Sequence, residues 1–275
     1  MEESKEEGRS TATRFLLKFL IFILAFVLLT MGMQYGLQRL QKSNTHTVLQ
    51  ENGATPSTVH RIVILDAGHG GEDGGASSRD GILEKDLNLS VTFLIADLLR
   101  ASGVTVILTR DSDRLLYDPS ADYQGKKKVL DQRARIETVE TAVREDPDAE
   151  VLFVSIHMNS YPSANVRGLQ VWYSPNHADS APLAELIQSG AARYVKDATV
   201  REIKQAGSNI FLLDRLTTPA ILIECGFLSS PEEAARLASK AYQKQLAFAV
   251  TGAILNFESS IRSPEEARSA TASFP

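Results

Sequence analysis

Between residues 61 and 257, short apolar runs alternate with stretches whose apolar residues recur every three to four positions. This alternation constrains the fold more than any other feature of the chain. The runs at 62–66, 104–109, 151–156, 169–173, 210–213 and 220–224 read as strands, and 84–102, 129–145, 182–196 and 231–257 read as helices. In the first helix Leu87, Val91, Leu94, Ile95, Leu98 and Leu99 fall on one face, and Gly103 ends it. Strands and amphipathic helices in alternation predict a single α/β domain, with a twisted, mostly parallel central sheet flanked by helices on both faces. No internal repeat is present.

The rest of the chain differs in kind. From Phe15 to Met33 only Lys18 is charged, and about 20 apolar residues suffice to cross a bilayer as a helix. Lys5, Arg9, Arg14 and Lys18 precede or begin this segment, against Arg39 and Lys42 after it, which favours an inside N-terminus. The expected organisation is therefore a cytoplasmic tail (1–14), one N-terminal transmembrane helix (15–37), a polar linker (38–60), the α/β domain (61–257) and a flexible tail (258–275). The α/β domain then lies on the extracytoplasmic face. A cleaved signal sequence is the competing reading and would make the protein secreted, but no small-x-small cleavage site follows the apolar run.

Composition narrows the partners. Of the 275 residues, acidic groups outnumber basic ones to give a net charge of −5, so nothing in the charge points to nucleic acid. Cys225 is the single cysteine, which excludes an intramolecular disulfide and a thiolate zinc site; a small buried hydrophobe is its expected role.

Four side chains capable of metal or acid–base chemistry stand at the edges of these elements. His69 follows the first strand in a glycine-rich turn, Glu84 opens the first helix, His157 follows the run 151–156, and Glu224 ends the run 220–224. Two histidines and two carboxylates so placed match a zinc hydrolase: three ligands, an open position for water and one free carboxylate as base. Each has a simpler explanation taken alone; Glu84, for instance, would complement a helix dipole. The glycine-rich loop lacks the Gly-x-x-x-x-Gly-Lys-Ser/Thr pattern and carries Glu72 and Asp73 where a phosphate needs donors.

Residues 65–76, Leu-Asp-Ala-Gly-His-Gly-Gly-Glu-Asp-Gly-Gly-Ala, resemble the first signature of the zinc-dependent N-acetylmuramoyl-L-alanine amidases of the amidase 3 type. Leu83-Glu84-Lys85-Asp86, the segment 108–113, Ser155-Ile156-His157-Met158-Asn159-Ser160 and the segment 219–228 follow in the family's order. The resemblance implies zinc ligands at His69, Glu84 and His157 and a catalytic glutamate at Glu224. It implies hydrolysis of the amide between the lactyl group of N-acetylmuramic acid and L-alanine, with peptidoglycan as partner and room for a regulatory protein. The tract 201–214 and the single N-terminal anchor look most like the germination-specific amidases of endospore formers, which prepare cortex peptidoglycan for muramic-δ-lactam formation. That would place the domain in the forespore envelope.

Two departures stand out: Ala67 replaces a frequent proline, and Glu137-Thr138 replaces a usual Ala-Asn pair. Two other functional readings compete. His69 and Glu72 have the His-x-x-Glu spacing of zinc carboxypeptidases, which would leave Glu84 idle, and a wall-binding scaffold without catalysis would need none of the four residues.

Overall fold

The first described strand, β1 (Arg61–Ala67), pairs in parallel with β2 (Thr105–Leu108) on one side and β3 (Glu150–Asn159) on the other. The computed structural model describes residues 60–117, 127–196, 199 and 201–257. The predicted membrane helix, the tail 258–275 and all of the linker except His60 lie outside them. No described helix is long and apolar enough to cross a membrane.

The sheet continues from β3 to β6 (Ala220–Phe227), then β4 (Gln170–Tyr173) and β5 (Lys204–Gln205), in the order β2-β1-β3-β6-β4-β5. Only the β4–β6 pairing is antiparallel, so the expected mostly parallel sheet is present.

Helices cover both faces. On one side α1 (Glu84–Ala101), α3 (Ser180–Tyr194) and α6 (Lys240–Leu255) enclose a core containing Val63, Leu65, Val91, Ile95, Val154, Leu183, Ile187, Ile221 and Leu246. On the other side α2 (Lys127–Glu145) and the short α4 (Phe211–Arg215) cover Ile62, Ile64, Phe153, Ala220 and Leu222. The α1 connection returns the chain to β2 at one side of β1, and α2 carries it back to β3 on the other. The reversal puts a topological switch point at the carboxyl ends of β1 and β3, where ligands gather in open α/β sheets.

Several local expectations are corrected. Residues 210–213 are not a strand: Phe211–Arg215 is a helix, with Leu212 and Leu213 buried against the sheet. A four-residue apolar run has no period that separates the two states. The stretch 231–257 is two helices, α5 (Pro231–Ala238) and α6, separated by Ser239 in an extended conformation. Buried Gln243 donates to Leu237 O (2.8 Å), satisfying a carbonyl that the break frees. Polar β5 was not foreseen, and Leu98 lies outward at 38% exposure while Leu87, Val91, Ile95 and Leu99 are buried. Strands β3 and β6 run further than expected, so His157 lies within β3 rather than after it, and Glu224 lies within β6 rather than at its end.

Candidate metal centre

Strand β1 ends at Ala67, and His69 adopts a left-handed backbone (φ 63°), which non-glycine residues rarely occupy. That turn is clamped by buried cations. Arg110 donates to the carbonyls of Ala67 (2.8 Å) and Gly68 (3.0 Å), and Arg135 donates to those of Ala67 and His69 (both 2.9 Å). Arg135 in turn pairs with Asp66 and with Asp131 (2.9 Å). Burial alone would favour neutral Asp66, but Arg135 and the hydroxyls of Ser155 and Thr109 (2.6 Å each) hold its carboxyl below the usual range. A strained residue held this firmly is typical of a functional site.

The other side chains come from different elements. Glu84 is the first residue of α1 and is almost fully buried at 3% exposure. Its Oε2 accepts from Ala76 N (2.7 Å) and its Oε1 from Met158 N (3.0 Å). His157 on β3 stands in register with Glu224 on β6; between His157 and Asn159 the pairing slips, as β6 takes three residues to β3's two. Bulges of this kind re-aim side chains beside active sites. Strands β1, β3 and β6 and the helix start thus meet at one edge.

There His157 Nδ1 (2.9 Å) and His69 Nε2 (3.3 Å) both approach Glu84 Oε1. The ligand atoms of these three residues lie within 4.8 Å of one another, forming a group that could hold a metal ion. Two glycines make room for it. A Cβ on Gly68 would overlap the His157 ring, and one on Gly75 would come within 2.5 Å of Glu84 Oε2 and 2.7 Å of His69 Cδ2.

Asp73 Oδ2 lies 2.8 Å from His69 Nδ1. Burial disfavours a charged His69, but Asp73 and Glu84 outweigh it and lift its pKa to about 9. The bond to His69 is the largest influence on Asp73, drawing it down to about 2. Burial likewise disfavours an ionised Glu84, yet the two histidines hold its carboxyl far below the ordinary value. A cation bound here would take the place of the protons that these carboxylates draw onto the histidines.

Glu224 is different. Its Oε2 is buried without a hydrogen-bond partner among the described residues, and burial pushes its pKa up to about 7. It shares one cavity with His69, His157, Asp73, Lys128, Gln132, Arg135 and Asn209. Its neighbour Cys225 is buried and free, as expected.

Glu72 does not join the group: its largely exposed carboxylate pairs with Lys127 (2.6 Å), so the carboxypeptidase-like pairing with His69 is not formed. Glu137 is exposed, and Thr138 bonds only within its own helix (Ala134 O, 3.1 Å), so that departure leaves the centre untouched. The supporting roles of Asp66, Arg110 and Arg135 were missed from sequence. Arg110 lay in a family-like segment, but nothing distinguished Arg135 from the exposed Arg133 two residues earlier.

Known proteins share this fold. The germination-specific N-acetylmuramoyl-L-alanine amidase of Bacillus subtilis is 35% identical over 206 residues, 75% of this chain and 83% of that protein. The CwlD amidase of Clostridioides difficile, solved in complex with the GerS lipoprotein, is 36% identical with a TM-score of 0.63, covering 71% of this chain and 96% of that one. An N-acetylmuramoyl-L-alanine amidase from Clostridium difficile 630 is 30% identical with a TM-score of 0.60, covering 72% and 96%. The Amidase_3 family, N-acetylmuramoyl-L-alanine amidase, matches residues 63–256, and this chain belongs to it.

Proposed function

We propose that the protein hydrolyses the amide between the lactyl group of N-acetylmuramic acid and L-alanine of the stem peptide, with zinc held by His69, Glu84 and His157 and with Glu224 as general base. The observation that carries this reading is the approach of two imidazole nitrogens to one Glu84 oxygen in a cavity that also holds an unpartnered carboxylate oxygen of Glu224. Two nitrogens and one carboxylate oxygen form a donor set that suits a hydrolytic zinc site. Zinc in such a site supplies Lewis acidity, making water acidic with a pKa of about 7 and polarising an amide carbonyl.

The protein's own groups supply orientation and proton transfer. With Nδ1–H donated to Asp73, His69 would have Nε2, beside Glu84 Oε1, as the nitrogen that holds the metal. Ala76 N fixes the second oxygen of Glu84, so the carboxylate cannot turn away. Glu224 Oε2 takes the proton from the attacking water and returns it to the departing amine of L-alanine. A carboxylate oxygen with no other hydrogen-bond partner among the described residues is free to do both.

The likeness to a germination-specific relative supports a role in spore-cortex peptidoglycan, where removal of the stem peptide precedes muramic-δ-lactam formation. The apolar segment 15–37 would hold the domain on the outer face of a membrane. The clostridial relative solved with a lipoprotein supports a protein partner here too. Digestion of purified peptidoglycan with the full-length protein, followed by mass spectrometry, tests the reaction. Peptides with new L-alanine amino termini are expected, and new sugar ends or shortened peptide carboxyl ends would overturn it.

A further inference from the structure

Lys128 lines the cavity that holds His69, His157 and Glu224, and among the described residues its ammonium makes no ion pair or hydrogen bond. The surrounding charges are already engaged. Arg135 is paired with Asp66 and Asp131, and neighbouring Lys127 with Glu72. Asp73 is bonded to His69 and Gly75 N (3.1 Å), so it does not neutralise Lys128 directly, although the lysine's field contributes to its low pKa. The first turn of α2 contains no carboxylate, and a cation there runs against the helix dipole. Gln132 and Asn209, which line the same cavity, are neutral. Among the described residues, the mouth of the cavity therefore presents an ammonium that no carboxylate contacts directly.

We propose that Lys128 recognises a carboxylate of the substrate close to the scissile amide, making it a specificity residue of the amidase site. The inference rests on the amidase reading above. The N-acetylated sugar and the lactyl amide are uncharged, so the anion must belong to the peptide. The first one available is the α-carboxylate of a D-glutamate following L-alanine.

The test compares full-length protein on two soluble substrates, N-acetylmuramoyl-L-alanyl-D-glutamate and its D-isoglutamine counterpart, in which that carboxylate is an amide. A partly exposed ion pair is worth up to about 1 kcal/mol, so kcat/KM should favour the acid about three- to tenfold, mainly through KM. Lys128→Ala should remove the preference, Lys128→Arg should retain most of it, and Lys127→Ala, one residue away and outside the cavity lining, should leave it intact. Equal turnover of both substrates by the wild-type protein, or a preference that survives in Lys128→Ala, overturns the proposal while leaving the amidase reading standing. Failure to cleave either substrate, or peptidoglycan, overturns the amidase reading itself.

Discussion

On the face of the sheet covered by α1, α3 and α6, alternate strand residues stay apolar from end to end: Val63 and Leu65 on β1, Leu152 to Met158 in steps of two on β3, and Ile221, Ile223 and Cys225 on β6. On the opposite face the same strands begin apolar, with Ile62, Ile64, Val151, Phe153, Ala220 and Leu222, and turn polar toward their carboxyl ends. There Asp66, Ser155, His157 and Glu224 continue the period-2 alternation. One face is built for burial alone. The other gives up packing near its end to hold a charged network and a cavity, and the covering helix α2 supplies Arg135 to pair with buried Asp66.

The comparison can be broken at several points. The largest effect is expected for Glu84→Ala, which should release metal and abolish turnover by removing one of three ligands, whereas Glu72→Ala should retain both. Metal analysis of the two purified variants decides this, and the reverse pattern would move the centre to the His69–Glu72 pair.

A contrast between the faces comes next. Arg135→Met leaves Asp66 buried without its cation and should cost about 3–5 kcal/mol, lowering turnover as well because the His69 turn loses its clamp. Leu183→Ala, in the fully buried core of the other face, should cost about 2–5 kcal/mol and leave turnover of the folded protein unchanged. Thermal melts beside kinetics would reveal whether the division of labour holds; equal loss of turnover in both variants would contradict it.

A smaller effect concerns pH. In metal-free protein the folded-state pKa of Glu224 is about 7 against an ordinary 4.5. The stability associated with its neutral form is complete below the ordinary value and is lost as pH rises through 7. Glu224→Gln removes this dependence. The variant's stability advantage over wild type should grow between those limits and level off at up to about 3 kcal/mol, as melts across the range in chelator would show.

Much of this was legible in sequence because the chemistry sits on recognisable boundaries. His69 lies in a glycine turn whose glycines are needed for contact with His157 and Glu84, and those spacings can be read without coordinates. The clamp was not legible. A lone arginine in the middle of a helix reads as solvated, and only the fold brings Arg135 to Asp66, 69 positions earlier. Residues 210–213 failed for another reason: a single helical turn with two buried leucines and a short buried strand have the same apolar pattern. The break at Ser239 follows from packing, since no proline or glycine marks it.

The central claim is that Glu224 is the free carboxylate beside a centre whose ligands are all supplied elsewhere. The most direct test is Glu224→Gln, measured for zinc content and for turnover on peptidoglycan in the same preparation. The amide keeps the size of the side chain but cannot take a proton from water. The account predicts one bound zinc with turnover reduced by about 10²–10⁴-fold. Loss of zinc would make Glu224 a ligand, and full turnover with zinc retained would leave the reaction without its base; either result contradicts the account.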